Sequence, residues 1–278
     1  MHTLTFCVSL LFTSTTTETA LETPRLENAQ TLAMGGASQS NGFSNIAMVN
    51  NAATIVFLPR YSIETAYFRD PQLGWKTWIT SLVDSTNRAF AGGLTYAQSK
   101  TSDSSTTLHQ IIGSSGFALG QTMSFGFNVR RIQGRGEQNP LETDESFWST
   151  DISVAIRAAP QWITSWSWRS VGKRPEAPLP ESAHIVSTAW LGMGFTLALD
   201  VEVPVTDAKS NLYKLGAEYI AAQSVPLRLG WNYSSDQGNE AGLGIGWIEK
   251  TGALDLGFTK SFYGEQAWMW SAGLRLFY

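Results

Sequence analysis

Apolar and polar residues alternate along most of the chain from residue 61 to residue 278. The clearest alternating segments run from Met123 to Arg130, from Phe195 to Val203 and from Val225 to Tyr233. A period of two residues places successive side chains on opposite faces of a β-strand. The pattern therefore predicts an all-β protein built from amphipathic strands.

Fourteen strands are predicted from the alternation and from the turn residues between the segments. Alternation is least regular in 74–84 and 107–119, and merging or splitting these segments would give twelve or sixteen strands. The predicted strands are 61–69, 74–84, 89–98, 107–119, 122–132, 148–158, 162–171, 183–193, 195–204, 211–222, 225–234, 240–250, 253–263 and 266–278.

The predicted connections differ in length on the two sides of the sheet. Connections after even-numbered strands are short, such as Gly120-Gln121 and Thr251-Gly252, whereas 133–147 and 172–182 follow odd-numbered strands and are long. This asymmetry is typical of outer-membrane barrels, whose short turns face the periplasm.

The last strand, Trp268 to Tyr278, has one wholly apolar face and another that carries Ser271, Gly273 and Arg275. It is long enough to cross a bilayer when tilted, and we expect it to pair with the first strand near Tyr61 to Phe68. Tryptophans and tyrosines cluster near strand ends, as in the aromatic girdles of membrane barrels. We therefore predict a transmembrane antiparallel up-and-down β-barrel, residues 61–278, in the bacterial outer membrane. The alternative is a soluble β-sandwich with tryptophans in its core.

Composition agrees with a barrel. Charged residues make up 15% of the chain, against about 25% in an average soluble domain, and mean hydropathy is only −0.09. No apolar run approaches the 18 or more residues of a membrane helix. The net charge of −4 gives no support for nucleic-acid binding. The expected surroundings are membrane lipid and lipopolysaccharide, with the barrel-assembly machinery as a partner of the last strand.

The chain begins with an apolar stretch, Leu4 to Phe12, that has the length of a secretory signal core. Residues 1–20 are therefore predicted to be a signal peptide, with a buried N-terminal strand as the alternative. Cys7 is the only cysteine, which excludes a disulfide or a thiolate zinc site within one chain.

Catalytic chemistry has little support. Outside residues 1–20 the only histidines are His109 and His184, and neither accompanies a recognisable nucleophile motif. The acidic residues show no metal-ligand grouping. The chain is predicted not to be an enzyme and to need no cofactor or metal.

Residues 21–60 do not alternate, and they contain two short motifs. Leu32-Ala33-Met34-Gly35-Gly36-Ala37 is followed by a small, polar stretch and then by Val49-Asn50-Asn51-Ala52-Ala53. These motifs resemble the N-terminal region of the long-chain fatty-acid transporter (FadL) superfamily, which includes the PorV-like proteins. Asn51 stands where that family has a proline in an Asn-Pro-Ala element.

The resemblance implies a fourteen-stranded barrel in which residues 21–60 fold inward as a plug. Gly35, Gly36, Asn50 and Asn51 are then the expected plug or gating residues. The alternative for the two glycines is a flexible loop after the signal peptide. A barrel of this width is too wide for its own side chains to fill, so a plug has a physical role.

Several charged residues lie on the polar faces of the strands and are predicted to point into the lumen, because a lipid-facing Arg or Lys at the midplane costs roughly 2–4 kcal/mol. Opposite charges on nearby strands, such as Glu202, Lys214, Glu218 and Arg228, are expected to form a paired network. These residues either hold the lumen and plug together or contact substrate directly. The full set is Arg130, Arg157, Asp200, Glu202, Lys214, Glu218, Arg228, Asp255 and Arg275.

These features of the sequence favour two functional hypotheses over a third. The first is passive transport of small hydrophobic compounds through a plugged lumen. The second is a PorV-like barrel that docks protein partners in a secretion or motility complex, which the short outer loops favour. A general diffusion porin is a weaker third option because the N-terminal segment would obstruct the pore.

Overall fold

The computed structural model describes residues 24–41, 43–87, 89–103, 105–136, 146–172, 180–206, 209–236, 238–262 and 266–278. The predicted signal peptide, residues 1–20, lies outside these ranges. So does most of each long predicted connection, since 137–145 and 173–179 are not among the described residues.

Fourteen antiparallel strands form a single closed barrel, in which each strand pairs with its neighbours in the chain. The predicted fold class is confirmed, and segments 74–84 and 107–119 each form one strand. The strands are β1 (Tyr61–Asp70), β2 (Trp75–Asp84), β3 (Phe90–Thr101), β4 (Thr106–Leu119), β5 (Met123–Gly136), β6 (Ser146–Ala159), β7 (Trp162–Arg169), β8 (Ala183–Gly192), β9 (Phe195–Pro204), β10 (Leu212–Ala221), β11 (Val225–Ser234), β12 (Gly238–Glu249), β13 (Gly252–Ser261) and β14 (Trp268–Phe277).

The barrel closes between β1 and β14, as the sequence predicted. Their register runs from Ser62 opposite Phe277 to Arg69 opposite Trp270. The rings of Tyr61 and Tyr278 meet edge to face beside this junction, with centroids 5.8 Å apart. Closure leaves no strand edge unpaired, which a bilayer requires because lipid cannot satisfy backbone groups.

Alternation separates the two surfaces of the wall. In β1 the side chains of Ser62, Glu64 and Phe68 point inward and are buried. In β9 the side chains of Leu197 and Leu199 point outward and are 49% and 43% exposed. An apolar outer face and a polar inner face form the arrangement of a transmembrane barrel, the reverse of a soluble protein.

Some predicted strand ends differ from the structure. β3 and β5 continue to Thr101 and Gly136, beyond the predicted ends at 98 and 132, because their extra residues extend the ladders with β2 and β4. We call the end of the barrel with the turns 120–122, 160–161, 193–194 and 250–251 the turn end. We call the opposite end the loop end.

Before β1 the chain forms α1 (Ala29–Ala33), α2 (Ile46–Asn50) and a 3₁₀ helix (Ala52–Phe57). No helix among the described residues is long and apolar enough to cross a bilayer. We call residues 24–57 the N-terminal segment.

Candidate functional site

The N-terminal segment lies inside the barrel, and glycines on the wall let it approach closely. A Cβ atom on Gly242 would stand 2.7 Å from the carbonyl oxygens of Leu32 and Ala33. A Cβ atom on Gly216 would stand 2.8 Å from the carbonyl oxygen of Met34. Backbone therefore packs directly on backbone across the lumen, at positions where any other residue would collide.

Gly35 and Gly36 form the turn that ends α1. Their φ angles are +64° and +80°, which only glycine adopts at little cost. The Gly36 N–H donates to the Thr31 carbonyl at 2.8 Å. A Cβ on Gly35 would stand 2.6 Å from the backbone nitrogen of Trp231 on β11. These glycines thus serve both the turn and its contact with the wall.

Asn50 and Asn51 connect two parts of the N-terminal segment. Asn50 Nδ2 donates to Ser38 Oγ at 2.7 Å, and Asn51 Nδ2 donates to the Gln39 carbonyl at 2.9 Å. Asn51 Oδ1 also accepts from the Ala53 N–H at 3.1 Å and so caps the 3₁₀ helix. The amide of Asn51 therefore has a structural task that a proline could not perform.

Replacing Asn51 by the proline of the Asn-Pro-Ala element should loosen the N-terminal segment. The Asn51 N–H donates to the Ala47 carbonyl at 2.7 Å, and its φ of −155° is far from the −65° that proline requires. We expect Asn51→Pro to cost about 3 kcal/mol of local stability. Limited proteolysis of the detergent-folded barrel should then cleave residues 24–57 faster. Asn51→Ala, which removes only the side-chain bonds, should have a smaller effect, and equal protection of the proline variant and the unmodified chain would contradict this account.

Two buried carboxylates on the wall receive backbone N–H groups of the N-terminal segment. Asp200 Oδ2 accepts from the N–H groups of Ser38 and Gln39 at 2.9 and 3.1 Å. Glu64 accepts from the Asn45 N–H at 2.7 Å and from the side chain of Asn28. A carboxylate that accepts several N–H bonds is held strongly in low dielectric, so these two residues anchor the segment on β9 and β1.

A row of buried charges runs along the inner face of the wall, from β10 to β14, near the turn end. Arg228 lies between Glu218 and Asp255, with nitrogen–oxygen distances of 2.6 Å to each. Asp255 also lies 3.8 Å from Arg275, which donates to the Phe43 carbonyl. We call Glu218, Arg228, Asp255 and Arg275 the turn-end cluster.

The loop-end half of the lumen holds a separate set of ion pairs. Glu202 pairs with Lys214 at 3.1 Å and with Arg169. Arg25 of the N-terminal segment donates two hydrogen bonds of 2.9 Å to the carboxylate of Glu240. Glu202 with Lys214 and Glu218 with Arg228 are therefore two separate ion pairs, because Glu202 and Lys214 lie nearer the loop ends of their strands than Glu218 and Arg228 do.

Arg130 and Arg157 belong to neither group. Arg130 lies 3.6 Å from Asp151. Arg157 has no carboxylate partner among the described residues; it donates to the Phe57 carbonyl at 2.8 Å and lies 4.6 Å from the centre of the Phe57 ring. Arg157 thus supports the last turn of the N-terminal segment instead of taking part in a charge network.

The environment of the N-terminal segment shifts two pKa values. Burial raises the pKa of the Glu27 carboxyl, although the charge of Arg25 opposes the shift. Burial disfavours the Arg25 cation, but attraction and hydrogen bonds to Glu240 raise its pKa overall. Both effects follow from placing charges where water is scarce.

Two cavities adjoin the N-terminal segment. The loop-end cavity has a volume of about 590 Å³ and is lined by Thr31, Gly36 and Asn50 of the segment and by charged wall residues such as Lys214. The turn-end cavity has a volume of about 330 Å³. Its walls are mainly apolar, with Phe43, Leu58, Pro59, Ile220, Ile248 and Phe277, and its polar edge holds Gln30, Arg60, Glu218, Arg228 and Arg275. The segment thus lies between two spaces that differ in polarity.

Sequence reasoning missed several charged residues of the lumen. Glu64, Asp151 and Arg169 share the inward parity of their strands, so the alternation itself carried the signal. Glu240 lies near the loop end of β12, where the predicted strand began. Arg25 lies in a segment without alternation, so no pattern in the sequence indicated its partner.

The two histidines lie on the outer face of the wall. His109 Nδ1 is 2.8 Å from the hydroxyl of Tyr96, and the His184 ring stacks on Trp166 with centroids 5.8 Å apart. Both therefore belong to aromatic clusters of the outer surface. Among the described residues, no group of three or more His, Cys, Asp or Glu is arranged to hold a metal ion.

Comparison with known proteins identifies the fold. No protein-family model and no curated protein matches the chain. The toluene transporter TodX of P. putida superposes with a TM-score of 0.64 at 11% identity, covering 90% of this chain and 96% of TodX. The toluene transporter TbuX of Ralstonia pickettii superposes with a TM-score of 0.60 at 10% identity, covering 91% of this chain and 97% of TbuX. The outer membrane protein Omp33 of Acinetobacter baumannii superposes with a TM-score of 0.54 at 8% identity, covering 79% of this chain and 98% of Omp33.

These likenesses extend over most of the chain and concern its three-dimensional arrangement. Together with the apolar outer face of the closed wall, they confirm the predicted outer-membrane location. The chain thus has the fold of an outer-membrane β-barrel of the FadL type, as the motifs of its N-terminal segment suggested.

Proposed function

We propose that this barrel is a passive channel for small hydrophobic compounds and that the N-terminal segment acts as its plug. The observation that carries the proposal is the pair of cavities on opposite sides of that segment, at the loop end and the turn end. A solute that entered from one cavity would reach the other only if residues between them moved.

The character of the two cavities favours a small, weakly polar solute. The turn-end cavity of about 330 Å³ has mainly apolar walls and is large enough for a compound with one aromatic ring. The charges of the loop-end cavity are largely paired with one another, as in Glu202 with Lys214 and Arg25 with Glu240. The solved barrels that resemble this one include toluene transporters, so toluene is the first solute to test.

A reversible cross-link between the N-terminal segment and the wall tests the proposal. The hydroxyls of Ser40 and Ser165 are 2.8 Å apart, so Ser40→Cys with Ser165→Cys, in a Cys7→Ser background, places two thiols within disulfide reach. Vesicles with lipopolysaccharide in the outer leaflet should take up radiolabelled toluene through the reduced variant. Oxidation should lower uptake to the rate of protein-free vesicles, and reduction should restore it.

A second cross-link controls for the oxidation itself. Thr77 and Ser99 face each other on β2 and β3, with hydroxyls 2.9 Å apart. The disulfide of the Thr77→Cys, Ser99→Cys variant joins two strands of the wall and does not involve the N-terminal segment. Oxidation of this variant should therefore not change toluene uptake. Equal toluene uptake by the oxidised and reduced Ser40–Ser165 variant would overturn the proposed role of the segment. Uptake no faster than in protein-free vesicles under either condition would overturn the transport function.

A PorV-like docking barrel is the second candidate, and the filled interior favours it. Ion pairs and backbone contacts fix the N-terminal segment to several strands, which suits a structural component that transports nothing. Affinity purification from detergent extracts discriminates the two functions. A stoichiometric protein partner, together with no toluene uptake by the purified barrel, would support docking over transport.

A further inference from the structure

Basic residues form a row on the outer face of the wall at the loop end. The register places Arg69 of β1 opposite Lys76 of β2, and Lys76 opposite Lys100 of β3. The row continues through Thr107 of β4 to Arg135 of β5. All five side chains have the parity of the outer face, because residues beside them in each strand are inward and buried, namely Phe68, Trp75, Ser99, Leu108 and Gly134. We call Arg69, Lys76, Lys100 and Arg135 the basic row.

The basic row has no internal counter-charge in the part of the chain that the structure describes. None of its four members takes part in an ion pair there. Like charges directly opposite each other on neighbouring strands destabilise a sheet. Arg69, Lys76 and Lys100 are three such cations on adjacent strands. Their mutual repulsion therefore destabilises the barrel, and a bound external anion would relieve it.

Aromatic residues fix the depth of the row in the membrane. Tyr67 lies between Trp78 and Trp270 on the outer face, with ring centroids 4.9 and 5.2 Å away. Such clusters mark the boundary between hydrocarbon and headgroups. Arg69 and Lys76 lie two residues farther towards the loop end, which is roughly 6–7 Å along a strand. The basic row therefore lies at the level of lipid headgroups.

The distribution of charge on the outer face is one-sided. Strands β6 to β12 carry no outward Lys or Arg among their described residues, whereas the outward carboxylates Asp84 and Glu249 lie at the turn end. Positive charge is thus concentrated on one side of the barrel and at one end. A general tendency to place charges near strand ends would not concentrate them in this way.

We propose that the basic row is a binding site for the phosphate groups of lipopolysaccharide. The long connections of an outer-membrane barrel face the cell exterior, so the loop end meets the outer leaflet. Arginine and lysine bind phosphate through charge-assisted hydrogen bonds, and neighbouring cations match a lipid that carries more than one phosphate. The site is on the outer face of the wall, and its failure would leave the proposed transport function untouched.

Binding of purified lipopolysaccharide to the delipidated, detergent-folded barrel tests this site. The triple variant Arg69→Gln, Lys76→Gln, Lys100→Gln should bind on the order of a hundredfold more weakly, because each basic residue near an anionic surface contributes roughly fivefold. The single variant Lys76→Gln should lose about fivefold. Its matched control is Lys250→Gln, an exposed cation in a turn at the opposite end, which should bind like the unmodified barrel.

Thermal melting separates a lipid site from a merely structural one. Without lipopolysaccharide, the triple variant should melt at or above the temperature of the unmodified barrel, because the repulsion is gone. With lipopolysaccharide, only the unmodified barrel should gain stability. Equal affinity of the triple variant and the unmodified barrel, or equal binding of dephosphorylated lipopolysaccharide, would overturn the proposal. An equal gain from inorganic phosphate alone would overturn the assignment to a lipid.

Discussion

Replacing Arg228 by methionine should destabilise the barrel by about 3–5 kcal/mol. The Arg228 side chain has no exposed area and lies 2.6 Å from both Glu218 and Asp255. Its removal leaves two buried carboxylates without the cation that they share, and Arg275 is the remaining cation of the turn-end cluster. The measurement is the loss of the heat-resistant folded band on an unboiled gel, or the midpoint of urea unfolding in lipid vesicles.

The same cluster supplies its own control. In the triple variant Glu218→Gln, Arg228→Met, Asp255→Asn the charges are removed together, and most of the lost stability should return, because replacing a whole buried ion cluster is often near neutral. Lys250→Met, at an exposed turn residue, should change the midpoint little. If Arg228→Met alone left the midpoint unchanged, the cluster would contribute nothing to stability and the account of it would be wrong.

Replacing Gly242 by valine should push the N-terminal segment off the wall. The new Cβ would stand 2.7 Å from two carbonyl oxygens of α1, and the backbone there cannot yield without moving the helix. The wall itself keeps its hydrogen bonds, so the barrel should stay folded while protease removes the segment. If the segment is the plug, toluene uptake should rise above that of the unmodified barrel.

Gly113 offers the matched control for this change. It lies on β4, and a Cβ added to it meets no atom within 4 Å. Gly113→Val should therefore leave protection and uptake unchanged. Full protection of residues 24–57 in Gly242→Val would show that the close approach at Gly242 does not hold the helix.

The barrel could be predicted from the sequence because each strand carries its own pattern. Alternation is local, so Phe195 to Val203 identified an amphipathic strand without knowledge of its neighbours. The strand ends were less accurate, as at Thr101 and Gly136, because the last residues of β3 and β5 are set by the ladders they form with β2 and β4.

The interior could be predicted only in part. Alternation gave the inward direction of Asp200 and Arg228, and it suggested Glu218 but not Asp255 as a partner of Arg228, because pairing depends on the height of each residue along tilted strands. Asp200 accepts from backbone N–H groups of Ser38 and Gln39, and no sequence pattern encodes such a contact. Arg157 had the inward parity that alternation predicted, but its bond to the Phe57 carbonyl of the N-terminal segment is a contact that the pattern does not specify.

The enclosure of the N-terminal segment restricts the order in which the molecule can assemble. The segment contacts β11 to β14 through α1 and β3 to β6 through the 3₁₀ helix, so it touches both sides of the seam. The seam itself joins β1 to β14, the two strands farthest apart along the chain. If the wall closed first, α1 and the 3₁₀ helix would have to enter the lumen from one end. They would then have to move past the wall carboxylates and glycines that contact them in the folded protein. Docking of residues 24–57 before β1 pairs with β14 avoids that passage, so we expect the pairing of these two strands to be the last step of assembly in the unmodified chain.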